Sequence, residues 1–173
     1  VRSELSALTS LQVWLTLGVG AVGFGGMFAM YSYIAPTVTE VTGLPASAVP
    51  LFLLVFGVSG FIGNIVAGRM GDWSVIRSIV IGLVGMGVAL GVCAAVASYA
   101  VAALVVLALT AVLASVLVIN LQLRLMQVAG SAQTLAAASN HAALNLANAL
   151  GAWLGGLVIA AGYGYRAPSV VGV

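Results

Sequence analysis

Long stretches of this chain hold no charged side chain, and that feature most constrains what it can fold into. Asp, Glu, Lys and Arg are absent from residues 5–39, 41–68, 78–123 and 125–165. Charged residues make up 5% of the chain and hydrophobic ones 63%. Mean hydropathy is +1.25, whereas a soluble domain carries about 25% charge. A helix crossing a bilayer core needs about 20 apolar residues. Each stretch holds one or two such helices. The chain is therefore built for lipid, as an all-α polytopic membrane protein.

The 173 residues leave room for five or six spans and no soluble domain. Local punctuation places five, over 11–38, 48–69, 77–97, 100–122 and 132–161, in one transmembrane domain covering 1–173. Pro36 and Thr37-Val38-Thr39 close the first. Gly43-Leu44-Pro45 forms a turn, and Ser47 is placed to cap the second. A short polar link from Arg69 to Arg77 leads to the third, and Ser98-Tyr99 turns into the fourth. Gly130-Ser131 separates the fourth from the fifth, which ends at Gly162-Tyr163-Gly164. Arg166-Ala167-Pro168 begins a further apolar segment.

Every basic residue is Arg. Alternating spans put Arg2, Arg69, Arg77 and Arg124 on one side and Arg166 on the other, so the positive-inside rule makes the first side, with the N-terminus, cytoplasmic. An arginine at mid-membrane costs about 2.5–3.5 kcal/mol on insertion scales. The same alternation puts Glu40 outside and Asp72 inside. Abundant Ala, Gly, Val and Arg with no Lys fits a GC-rich bacterial genome, hence an inner (plasma) membrane. One Cys, one His and three carboxylates exclude an intrachain disulfide and a metal cluster, and no cofactor is expected. No basic cluster points to nucleic acid.

Much of the glycine lies inside the spans. Gly87 and Gly91, and again Gly151 and Gly155, have GxxxG spacing; Gly57, Gly60 and Gly63 step along one face. Small residues let membrane helices approach closely.

The segment Gly63-Asn64-Ile65-Val66-Ala67-Gly68-Arg69-Met70-Gly71-Asp72 ends the second span. Gly68 and Gly71 allow a tight exit from a helix. Arg69 can pair with Asp72 three residues on, or meet the negative end of its own helix. This segment resembles the cytoplasmic loop between the second and third helices of the C-terminal half of a major facilitator superfamily transporter. The pattern G-N-x-x-x-G-R-x-x-D is matched by Gly63, Asn64, Gly68, Arg69 and Asp72. Where the full superfamily loop has Asp, this chain has Gly68, and Trp73 follows Asp72. The run from Asn145 to Gly156 is similar to the eleventh helix of the drug:proton antiporter and sugar-efflux branch, and Tyr165-Arg166-Ala167-Pro168 to the lead-in to the last helix. The five spans then stand for helices seven to eleven. The resemblance implies a fragment of a longer transporter that lacks its N-terminal six-helix half. It also implies a substrate cavity between the halves, alternating access, and a latch role for Arg69 and Asp72.

His141, Asn145 and Asn148 fall at i, i+4 and i+7 and share one helix face, with Ser139 and Asn140 nearby. Intramembrane polar groups face a bundle interior or a wet cavity. These three are candidates for the wall of a small-molecule cavity, and interhelical hydrogen bonding is the plainer use. Met30 and Tyr31, near Met27 in the first span, are candidates for an adaptable apolar part of that cavity. No carboxylate lies deep in any span, so His141 alone can titrate there.

The function expected is a part in proton-coupled efflux of a small organic molecule, a drug or sugar. A structural or channel-type membrane subunit is the alternative. A remote one is an intramembrane serine protease, from Gly57-Val58-Ser59-Gly60 with His141 as base. It is disfavoured because Ser59 and His141 fall at different depths on helices of opposite direction.

Overall fold

The computed structural model describes residues 10–130 and 132–173. The readings placed on Arg2 and Ser131 lie outside the described residues. Helix α1 runs Leu11–Ser32, α2 Ile34–Pro36, α3 Val49–Val96, α4 Ala100–Ala129, α5 Gln133–Val158 and α6 Ala167–Val170. Among the described residues, four helical stretches are long and apolar enough to cross a membrane: Leu11–Ser32, Ala46–Val96, Ala100–Ala129 and Gln133–Tyr163.

The second stretch is twice the length of a span, and it doubles back. Its only non-helical residue is Ser74, with extended backbone at φ −171° and ψ 114°. Before Ser74, Ser115 Oγ of α4 donates to the Gly60 carbonyl at 2.9 Å and Asn120 Nδ2 to the Ala67 carbonyl at 3.2 Å. Partner numbers rise together, so this limb is parallel to α4. After Ser74, Gly82 packs on Leu117 and Gly85 on Leu113, in the reverse order. The two limbs are therefore antiparallel to each other, and both lie on α4. Serine stabilises the reversal: Ser74 Oγ accepts the Arg77 amide at 3.4 Å, and Ser78 Oγ lies 2.7 Å from the carbonyl oxygens of Met70 and Ser74.

The expected polar link from Arg69 to Arg77 is thus one residue wide. Gly68 and Gly71 do not take positive φ and stay helical. The motif Gly63, Asn64, Gly68, Arg69, Asp72 lies on helix, not in a loop, because the hairpin is closed by Ser74 instead.

The same reasoning orders the remaining helices. Gly25 meets Ala147, Ala29 meets Gly151, and Tyr33 meets Gly155 and Gly156, so α1 and α5 are parallel. Gln12 meets Arg124 while Gly23 meets Leu117, so α1 and α4 are antiparallel. Five rods alternate in direction, and the core runs between them through Phe24, Ile34, Phe52, Met86, Leu90 and Leu117. A smaller cluster of Val13, Leu17, Leu125 and Ala136 closes the end where Ser74 lies.

Other boundaries move for identifiable reasons. The first rod runs on from the expected 38 to Val41. Proline brings no N–H to the ladder, and the chain continues as a wider π turn over Thr37–Val41, with the Thr42 amide bonded to the Thr37 carbonyl. Ser47 makes no cap bond and sits in a short 3-10 turn, Ala46–Ala48, before α3. α4 runs seven residues past the expected 122. The fifth rod ends as expected, through a π turn over Ile159–Tyr163, with Gly162 at φ +88° and Gly164 at φ +73°.

Candidate functional site

One face of α5 differs from the rest of the bundle surface. Ala136, Asn140, Ala147, Gly151 and Gly155 face inward and are buried. Leu146, Leu150, Trp153 and Leu157 project outward on the side a bilayer would cover. Between these two faces, Thr134, Ala138, His141, Asn145, Asn148 and Ala149 are all exposed. This third face alternates hydrogen-bonding side chains with methyl groups. From His141 to Ala152 it extends about 16 Å at 1.5 Å per residue. His141, Asn145 and Asn148 have no hydrogen-bond or ion-pair partner in the described chain. Amide and imidazole groups at this depth require water, a polar ligand or another polar surface.

α5 is held in place by close backbone contact. A Cβ on Gly151 would sit on the Gly25 carbonyl oxygen, and one on Gly155 would lie 2.8 Å from the Tyr33 ring. The Tyr33 hydroxyl donates to the Ala152 carbonyl at 2.8 Å. At the Ser74 end, Asn140 Nδ2 donates to Gln122 Oε1 of α4 at 2.6 Å, and Arg124 donates to Gln12 Oε1 at 3.2 Å.

The other sequence candidates are not brought to this face. Met30 is 5% exposed and belongs to the core. With Ile34, Thr37, Phe52 and Cys93 it lines a void of about 20 Å³, the size of one water. Tyr31 is half-buried and stacks on Phe56, with ring centroids 4.7 Å apart. Ser59 is buried within α3, His141 is exposed on α5, and no hydrogen bond joins them.

The motif residues Asn64, Arg69 and Asp72 are exposed near the Ser74 reversal. Arg69 and Asp72 form no ion pair with each other, and Asn64 has no side-chain partner in the described chain. Helical spacing puts them on a free surface. Nearby, the Arg77 guanidinium sits 5.1 Å over the Trp73 ring.

Two polar residues carry more structure than their sequence positions promise. Asn120 is fully buried and binds the carbonyls of Ala67 and Val116, leaving its own Oδ1 without a partner. Asn140 is adjacent to His141 but faces inward. The signal was available in the periodicity: at about 100° per residue, Asn140 lies off the face shared by His141, Asn145 and Asn148.

A bundle of alternating apolar rods of span length is the architecture of a polytopic all-α membrane protein. No protein-family model matches the chain. Curated relatives do. It is 32% identical over 162 residues to the MFS-type transporter YtbD of Bacillus subtilis, covering 91% of this chain and 41% of that protein. It is 34% identical over 172 residues to the inner membrane transport protein YdhP of Escherichia coli K12, covering 99% of this chain and 44% of that protein. A chloramphenicol resistance protein of Streptomyces lividans is 36% identical over 72 residues, 42% of this chain and 18% of that protein. The chain belongs to the major facilitator superfamily, where it corresponds to the C-terminal half of a transporter. It spans less than half the length of the curated relatives it matches.

Proposed function

We propose that this chain forms one wall of the substrate pathway of a secondary active transporter. In that reading a small organic molecule, a drug or sugar, leaves the cell in exchange for protons by alternating access. The single observation that carries the reading is the exposed face of α5, on which His141, Asn145 and Asn148 have no partner in the described chain. The remaining surface of the pathway comes from an N-terminal six-helix half. The resistance protein's name supports efflux of a drug-like molecule. The Ser74 end is cytoplasmic in this reading, since among the described residues Arg69, Arg77 and Arg124 lie there and Arg166 alone lies at the other end. The membrane is the bacterial inner membrane, as the name of one relative indicates for that protein.

Arg69 and Asp72, unpaired within this half, act as a latch that closes on the other half when the cytoplasmic side is shut. The proton-carrying carboxylate lies in the other half, because no carboxylate lies deep in these spans.

The test uses the whole transporter reconstituted in vesicles with an imposed pH gradient, and a drug panel that includes chloramphenicol. Asn145→Ala and Asn148→Ala should each raise KM roughly 3- to 10-fold, the loss of one hydrogen bond to substrate. Unchanged KM for both, on a substrate whose export the protonophore abolishes, refutes α5 as the wall. Export indifferent to a protonophore refutes proton coupling.

A further inference from the structure

We infer that the Gln122–Asn140 hydrogen bond is a positioning pair that fixes the rotation of α5 about its own axis and stays closed throughout transport. The inference rests on the reading of α5 as a pathway wall.

The buried face of α5 is mostly smooth: Ala136, Ala147, Gly151 and Gly155 offer only hydrogens and methyl groups. Leu144 packs half-buried on the core and Tyr33 seats on Gly155 and Gly156 towards the far end, so near the Ser74 end the specific polar contact is the one made by Asn140. Such a face permits close approach, but it discriminates poorly between one rotation and the next. The inward face also carries one amide, Asn140, which is 5% exposed. Its bond to Gln122 Oε1, at 2.6 Å, lies between two neutral side chains on adjacent helices. A buried polar contact of this kind is the best-attested device for specifying register among otherwise permissive apolar packings.

The alternative rotation shows what the pair prevents. Asn140 and the polar face of His141, Asn145 and Asn148 are separated by about a third of a turn. Without Gln122, the Asn140 amide is buried and unsatisfied. Rotating α5 to bring Asn140 to water would carry the other three towards the side occupied by Leu146, Leu150 and Trp153. The pair removes that conflict by satisfying Asn140 inside the bundle.

The bond stays closed because the hairpin holds it. Gln122 lies two turns before the end of α4 at Ala129, and Asn140 two turns after the start of α5 at Gln133. Only three residues, 130–132, connect the helices there. The two helix ends cannot part far without breaking that connection.

The measurement is the reaction rate of an Asn145→Cys thiol with a water-soluble maleimide. It is made in the whole transporter, in a Cys93→Ala background, in native-like vesicles. With the pair intact the thiol should react. Adding Gln122→Met, which strands the buried Asn140 amide, should slow the reaction by roughly an order of magnitude. Adding Asn140→Leu to that variant removes the stranded amide and should restore the rate, as should the exchanged pair, Gln122→Asn with Asn140→Gln, which loss of a merely space-filling side chain would not predict. Unchanged reactivity in Gln122→Met overturns the inference. An inert thiol with the pair intact overturns the pathway reading and this inference with it. A disulfide formed between Gln122→Cys and Asn140→Cys should leave transport intact, and arrested transport that recovers on reduction overturns the claim that the pair stays closed.

Discussion

Gly151→Ala adds one methyl group and should weaken the half measurably. The added Cβ would sit on the Gly25 carbonyl oxygen and 3.0 Å from the Ala29 amide nitrogen. Both are backbone atoms of α1, so no side chain can swing aside. Ordinary C–H···O contacts lie at about 3.3–3.6 Å, so the two helices must separate by about 1 Å. A gap of that size forfeits about a quarter to a half of each dispersion contact along the seam. Overpacking of this kind costs about 1–3 kcal/mol, while alanine in place of glycine returns about 0.5–1 kcal/mol of helix propensity. The net effect is destabilising by about 1–2 kcal/mol. Gly18→Ala is the matched control on α1, because nothing lies within 4 Å of its Cβ position and only the propensity gain remains. Thermal unfolding of the whole transporter in one detergent, with the two variants side by side, gives the sign directly. A Gly151→Ala midpoint at or above that of Gly18→Ala would refute the close-contact argument.

Arg69→Ala and Asp72→Ala should each leave stability within about 0.5 kcal/mol, since the two residues form no pair in this half. Both should nevertheless lower the transport rate in vesicles, and an unchanged rate in both variants would refute the latch reading. Asn120→Ala should cost about 2–3 kcal/mol through loss of its bonds to the Ala67 and Val116 carbonyls and the void left behind; a midpoint within error of the parent counts against it. Met30→Ala should cost about 2–5 kcal/mol as a core truncation. If KM shifts instead and stability holds, Met30 faces substrate rather than the core.

The rods themselves were legible because lipid permits so few alternatives. A charge-free run of span length must satisfy its backbone internally, and the helix is the way for a single segment to do so. Their ends were less legible, because a helix end depends on where backbone donors find acceptors. Pro36 with Thr37-Val38-Thr39 reads as an end near 38, yet the chain runs on to Val41 by widening into a π turn. Gly68 and Gly71 read as an exit, yet they remain helical while Ser74 makes the turn. Glycine permits a reversal without requiring one. The reversal falls at Ser74, where hydroxyls of Ser74 and Ser78 serve the amide and carbonyl groups freed on either side.

Polar residues divide the same way. His141, Asn145 and Asn148 share a face by spacing alone, and the fold exposes that face. Asn120 and Gln122 fall at the expected end of the fourth span, and Asn140 sits beside the polar face of the fifth. Asn120 and Asn140 are nevertheless buried, because one meets the Ala67 carbonyl of α3 and the other meets Gln122 of α4. Spacing along one helix predicts which residues share a face, but which neighbour that face meets depends on helix length and register, which are properties of the pair. The α1–α5 seam makes this concrete. GxxxG spacing at Gly151 and Gly155 announces close approach, but only the partner's Gly25, Ala29 and Tyr33 decide that the two helices run parallel and leave the polar face of α5 uncovered.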